Sequence, residues 1–297
     1  MARTRRIKAA GEEVYYHVVS RTVGGEFYLG DVEKERFVEG LRRLGKLFFV
    51  DLAGFCVMSN HFHLVVRTRR PEEHSDREIV ERLAAFYGLS EEVAAAQDLG
   101  RWRRRLFDLS EYVKAVKVDF SRWYNRKRNR RGYFWGDRFK SVVLEGGRAV
   151  LQCLAYIELN PVRARITDRP EKYRWSSLSF RLAGKDDFLL RDVLQGEDAQ
   201  WYWAVVTEVG KEGRTDGRGR EKGRIEPGVV PGAVDLWRHR VRFFSDSLVL
   251  GSKGFVQEMY ARFSGCIGKR ERRAHRAGGL EGLYGLRRLA AGGAVGG

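Results

Sequence analysis

The run from Asp51 to Thr68 constrains this chain more than any other. Two apolar runs, Asp51 to Ser59 and His61 to Thr68, meet at a tight polar turn at Ser59-Asn60. That pattern reads as a β-hairpin. Strand side chains alternate faces, so His61 and His63 project together on one side while Phe62, Leu64 and Val66 point to the other. Paired imidazoles on a sheet surface are a start for a divalent metal site, and they serve equally as hydrogen-bonding groups.

The rest of the chain supplies elements to pack around this hairpin. Val14 to Arg21 reads as a first strand, rich in β-branched and aromatic residues. Asp31 can cap a helix reaching about Phe49, with Phe37, Leu41, Leu44 and Phe48 at helical spacing. Residues 70–108 form a charged, helical insertion. A helix is expected over Ser110 to Lys127, a short strand over Phe139 to Leu144, and a last helix from about Gly147 to Asn160, stopped by Pro161. The order β-α-β-β-α-β-α predicts an α+β fold: a ferredoxin-like antiparallel sheet with helices on its faces.

Charge narrows the function. The 297 residues carry 56 Lys and Arg against 39 Asp and Glu, a net charge of +17. Such an excess argues for a polyanionic partner, nucleic acid before any other. No apolar run approaches the ~18 residues of a membrane-spanning helix, and the basic N-terminus leads into no apolar signal region. Cys56, Cys153 and Cys266 lie far apart with no CxxC pairing, which suits a reducing cytoplasm and excludes a zinc ribbon or disulfide framework.

The helix before Pro161 carries further chemistry. On a helical wheel Val150, Cys153, Leu154 and Ile157 share one flank, and Gln152, Tyr156 and Asn160 line another. If that second strip faces the histidines, His61, His63 and Asn160 offer two imidazoles and an amide oxygen, donors that suit Mg²⁺ or Mn²⁺. Tyr156 would then be a nucleophile beside the metal. Tyr156 also reads as a packing residue with a wet hydroxyl, and Asn160 as a plain helix terminus before proline.

A third signal lies between Arg101 and Lys140, where fourteen Lys or Arg stand against four acids, with ten aromatics interleaved. Arg122, Arg126, Lys127, Arg130, Arg131, Arg138 and Lys140 can hold phosphates, and Trp123 and Tyr124 offer faces to unpaired bases. The same aromatics also read as the core side of a helix with a solvated basic face.

Five stretches together carry a resemblance: YHVVSR at Tyr16 to Arg21, FCVMSNHFHLVV at Phe55 to Val66, FSRWYNRKRNRRGYFWGDRFKS at Phe120 to Ser141, AYIELNPVRARI at Ala155 to Ile166, and YRWSSL at Tyr173 to Leu178. In these the chain resembles the REP-associated tyrosine transposases, a branch of the single-tyrosine transposases within the HUH endonuclease superfamily. The resemblance implies His61 and His63 as metal ligands, Tyr156 as nucleophile and Asn160 as the polar third ligand. It also implies cleavage of single-stranded DNA near palindromic hairpins through a covalent 5′-phosphotyrosine. The long insertion at 70–108 and the extended tail depart from the shortest members. His17 lies in a matching stretch with no role beyond a structural hydrogen bond. A non-cleaving binder of hairpin DNA or RNA, and a metal hydrolase using activated water, are the competing readings.

The expected organisation is a transposase domain over 1–182, a connecting segment over 183–230 with a flexible stretch at Gly210 to Arg224, and a small basic C-terminal region over 231–297 ending in a disordered Gly/Ala tail. The expected location is cytoplasmic, at the nucleoid. Monomer and homodimer both remain open.

Overall fold

The computed structural model describes residues 7, 9, 11–211, 241–267, 273–278, 280 and 282–286. Among these, the strands are β1 (Tyr15–Arg21), β2 (Val50–Val57), β3 (His61–Thr68), β4 (Lys140–Leu144), β5 (Val249–Gly251), β6 (His275–Arg276) and β7 (Tyr284–Gly285). They form a seven-stranded sheet in the order β2-β3-β1-β4-β5-β7-β6. The helices are α1 (Asp31–Gly45), α2 (Asp76–Tyr87), α3 (Glu91–Ala95), α4 (Leu99–Leu106), α5 (Leu109–Lys127), α6 (Arg148–Glu158), α7 (Asn160–Arg163), α8 (Ser177–Leu182), α9 (Glu197–Lys211), α10 (Phe243–Asp246) and α11 (Lys253–Phe263). The first four strands pair antiparallel in the order β2-β3-β1-β4, the ferredoxin-like arrangement expected. Three short strands then extend the same sheet: β5 joins β4 in parallel, and β7 and β6 follow antiparallel.

Register assigns the faces. Val19 lies opposite His63 and Lys140, Arg21 opposite His61, and His17 opposite Val65 and Val142. Directly opposed residues share a face, so these side chains project together. Phe62, Leu64, Val66 and Val18 occupy the other face.

Each face is closed by a different helix layer. On the Phe62 side, Phe37 of α1 packs at 4.7 Å from Phe62, and Phe120 of α5 and Trp135 add to the same aromatic cluster. Phe37, Leu41 and Leu44 are buried at helical spacing, as an amphipathic α1 requires. Asp108 caps α5 by accepting from the Glu111 amide at 3.1 Å. On the His63 side lies α6, buried at every residue from Ala149 to Glu158. Gly54 allows that close approach, since a Cβ there would lie 2.3 Å from Leu154 Cδ2.

Several boundaries differ from the sequence reading. α1 ends at Gly45, because Leu47, Phe48 and Phe49 turn inward to the core. The last helix of the core unit ends at Glu158, and Asn160–Arg163 forms a separate turn with Pro161 in its first positions, where a missing amide hydrogen costs nothing. The insertion folds as α2, α3 and α4, with a Ser75–Glu78 capping box at its start. Of the stretch Gly210 to Arg224, residues 210 and 211 close α9 and 212–224 lie outside the described residues, as does the tail from 287. No described helix is long and apolar enough to cross a membrane.

Candidate active site

Strand alternation brings His17 of β1 beside His63 of β3. Their rings stack at 5.0 Å and 9°, with His17 Nε2 2.8 Å from His63 Nδ1. The other nitrogen of His17, Nδ1, lies 2.6 Å from the Phe244 carbonyl. A carbonyl only accepts, so His17 Nδ1 carries its proton and Nε2 accepts from His63 Nδ1–H. The lone pair of His63 therefore sits on Nε2. His61 is set in the same way: Asn60 Nδ2 donates to Gly25 O at 2.9 Å, which turns Asn60 Oδ1 toward His61 Nδ1 at 2.6 Å. Its lone pair is again on Nε2.

Burial keeps the His17 and His63 rings neutral. His17 is fully buried, which pushes its pKa down to about 4 against the opposing Phe244 hydrogen bond. His63 is held well below the ordinary imidazole range by burial first, then by His61, His17, Arg163 and Arg21. Neutral imidazole is the form that ligates metal.

α6 delivers Tyr156 to this cluster. Its ring lies 6.0 Å from both His63 and His17, edge-on to each. Phe244 of α10 stacks on it at 4.8 Å, and the Arg163 guanidinium lies 4.4 Å from its centroid. Tyr156 is only 3% exposed. The wheel's polar strip is thus not a wet one: Gln152 and Tyr156 are buried because α9, through Tyr202, Val205 and Val206, and the C-terminal segment cover the outer side of α6. Asn160 is one turn on, with Oδ1 accepting from Arg163 Nη2 at 2.6 Å and Nδ2 buried without a partner. Arg163 also donates to the Tyr156 carbonyl.

The donor chemistry fits a divalent ion at the two imidazoles. Among the described residues no group of three or more His, Cys, Asp or Glu is placed to hold a metal, so His61 and His63 are the nitrogen donors such an ion would find here. An amide oxygen has two lone pairs; Asn160 Oδ1 already spends one on a guanidinium, which weakens its case as a third ligand.

The basic run divides. Arg122, Arg126, Lys127, Arg131, Arg138 and Lys140 are exposed and Arg130 half-buried. Trp123 is half-buried beneath Lys127 Nζ at 4.8 Å. Tyr124 departs from the expectation of a stacking platform: it is 7% exposed, packed between Phe134, Tyr28 and Phe120, because it falls on the inner stripe of α5. α5 covers the Phe62 face, so Arg122 and Arg126 lie on the opposite side of the sheet from the histidines, while Lys140 shares the histidine face.

His17 makes the structural hydrogen bonds expected of it, and Arg21, Arg163 and Phe244 escaped the sequence reading. His17 orients His63, and Arg21 stands exposed opposite His61; strand alternation from Tyr16 to Arg21 carried both signals. Arg163, three residues after Asn160, was legible by helical spacing. Phe244 had no local signal.

No protein-family model matches the chain, and no curated protein matches it. Among solved structures, a REP-associated tyrosine transposase bound to a REP hairpin is similar at 12% identity and a TM-score of 0.44, over 67% of this chain and 93% of that one.

Proposed function

We propose that this chain is a metal-dependent transposase or endonuclease of the HUH type, which cleaves and rejoins single-stranded DNA near palindromic, REP-type hairpins in the cytoplasm. The observation that carries the reading is the Tyr156 ring edge-on to His63 at 6.0 Å, beside His61, whose ring lies 5.0 Å from that of His63. His61 and His63 would hold Mg²⁺ or Mn²⁺, with Asn160 as the third ligand once released from Arg163; bound there, the ion would polarise a phosphate oxygen.

The chain's own groups supply the remaining steps. The Tyr156 oxygen attacks phosphorus, an O–P bond forms, and the bond from phosphorus to the 3′ oxygen breaks. The phenol proton leaves and the 3′ oxygen takes one up. The Arg163 guanidinium lies against the ring, 4.4 Å from its centroid. Attack by a 3′-hydroxyl on the phosphotyrosine reverses the sequence, and the ester retains the phosphodiester's energy. Because Tyr156 is 3% exposed, phosphate reaches it only when the cover of Phe244 and Arg163 shifts.

One observation favours a second reading, a non-cleaving hairpin binder: Asn160 Oδ1 is already engaged by Arg163. A labelled hairpin DNA incubated with Mn²⁺ and resolved on a denaturing gel separates the two. The wild type is expected to form a covalent adduct and Tyr156→Phe none, with binding unchanged. Binding without adduct in the wild type selects the binder, and equal adduct in Tyr156→Phe removes Tyr156 as nucleophile.

A further inference from the structure

The Phe62 side of the sheet holds a cleft of about 500 Å³ between α5 and the loop that leads into β4, within the roughly 300–1,000 Å³ of ligand pockets. Its lining is unlike the sealed histidine site. Trp135, Phe134 and Phe139 give it an aromatic floor, and Val118, 39% exposed, adds an apolar wall. Tyr133 stands at the edge, 87% exposed.

The loop is built to present that ring. Gly132 adopts φ +100°, a conformation open to glycine, and its carbonyl accepts from Asn125 Nδ2 of α5 at 3.0 Å. The contact ties the loop to α5 on the side where Asn125 lines the cleft. The charges agree on what the ligand is. Lys114 pairs with Glu111 at 3.3 Å and Lys117 donates to the Asp137 carbonyl, but Arg122 and Arg138 have no ion-pair or hydrogen-bond partner among the described residues.

An exposed aromatic ring, an apolar floor and two guanidinium groups unpartnered among the described residues match one nucleotide of a single strand. We propose that this cleft takes a splayed-out base from single-stranded DNA, stacked on Tyr133, with its flanking phosphates held by Arg122 and Arg138. This deepens the DNA-processing reading and rests on it for the choice of DNA. The cleft lies across the sheet from Tyr156, so it acts as an anchor away from the chemistry. The loop gives it a route to the site: Gly136 N donates to the Arg21 carbonyl at 3.0 Å, and Arg21 lies opposite His61.

The test uses the full chain and a labelled oligonucleotide with a palindromic stem-loop and mixed-sequence single-stranded flanks. An abasic position is walked along the flanks, binding is followed by anisotropy, and adduct formation is measured in parallel. Loss of one base–aromatic stack corresponds to roughly a fivefold to hundredfold weaker affinity, so Tyr133→Ala is expected to fall in that range and Tyr133→Trp to restore binding. One abasic position should weaken the wild type and leave Tyr133→Ala unaffected. Replacing Arg122 and Arg138 together by alanine should flatten the salt dependence by about 1.4 in log–log slope, at about 0.7 per single-strand phosphate. Tyr133→Ala binding as the wild type, or no abasic position coupled to it, overturns the pocket. Tighter binding of the same sequence as RNA overturns the assignment to DNA. Adduct formation with an unaltered Tyr133→Ala leaves the catalytic reading standing without the pocket, and coupling without adduct leaves the reverse.

Discussion

The two faces of the sheet solve opposite problems. On the α6 face, four aromatic or imidazole rings (His17, His63, Tyr156 and Phe244) are closed off from water, and their geometry is fixed by hydrogen bonds that run from a backbone carbonyl to an outward lone pair. On the α5 face, cations stand exposed over a half-buried aromatic surface, and Arg122 and Arg138 among them have no ion-pair or hydrogen-bond partner among the described residues. Chemistry on a phosphodiester needs a dry, preorganised site where charge interactions are strong. Capture of a polyanion needs exposed charge, whose binding is driven by counterion release. On the proposed reading a chain that does both gains from separating them, and the two differently closed faces of one sheet supply that separation.

The sharpest way to break this division is through His17, which belongs to the α6 face and touches nothing on the other. Outer partners of metal-bound histidines commonly change metal affinity by about 10- to 100-fold. His17→Ala is therefore expected to weaken Mn²⁺ binding, followed by calorimetry, by that factor, while affinity for single-stranded DNA in EDTA stays unchanged. If DNA affinity falls as far as metal affinity, the faces are not independent. If metal affinity holds while His63→Ala abolishes it, the chain through Phe244 is a packing device only.

A smaller effect should come from Gly54, where α6 meets the sheet. A Cβ there would lie 2.3 Å from Leu154 Cδ2 and 2.9 Å from Ser177 Oγ. Ser177 has little room to yield, since it accepts from the Phe55 amide at 2.9 Å and donates to the buried Glu158 carboxylate. Overpacking of this kind typically costs about 1–3 kcal/mol. Gly54→Ala should lose that amount in urea denaturation and form adduct more slowly, because α6 carries Tyr156, with single-strand affinity intact below the transition. Unchanged stability would mean that the α6 face is looser than its burial implies.

The two faces also differ in how much the sequence could reveal. The hairpin, the shared side of His61 and His63, and the ferredoxin-like order all follow from local period-2 and period-3.6 patterns, which short stretches of chain carry. The charge excess of the α5 face was equally visible, although Tyr124 could be assigned to core only once the direction of α5 against Phe120 and Phe134 was known. The closure of the α6 face was hidden. The wheel gives Gln152, Tyr156 and Asn160 a polar strip, and nothing local says that α9 and the C-terminal segment cover it. The partner of His17 is 227 residues away, beyond any periodicity argument. The C-terminal region was expected as a small appendage, and the short strands by which it lengthens the sheet are two or three residues each, too brief to leave a pattern.

The smallest predicted effect sits where the faces communicate. Lys140 shares the histidine face, across the sheet from Val19 and His63, and its ammonium pairs with Asp246 at 3.4 Å; Arg242 shares that carboxylate at 3.2 Å. Exposed pairs of this kind contribute about 0–1 kcal/mol, so Asp246→Asn should leave stability nearly unchanged. It should nonetheless release Lys140 beside the strand path toward His61. DNA affinity is then expected to rise a few-fold, with the log–log salt slope steeper by about 0.7, the share of one single-strand phosphate. The sign is what makes the measurement useful, because most substitutions near a site weaken it. A weaker or unaltered affinity in Asp246→Asn would mean that DNA does not pass along β4, and on the proposed reading the connection between the α5 face and the α6 face would have to run elsewhere.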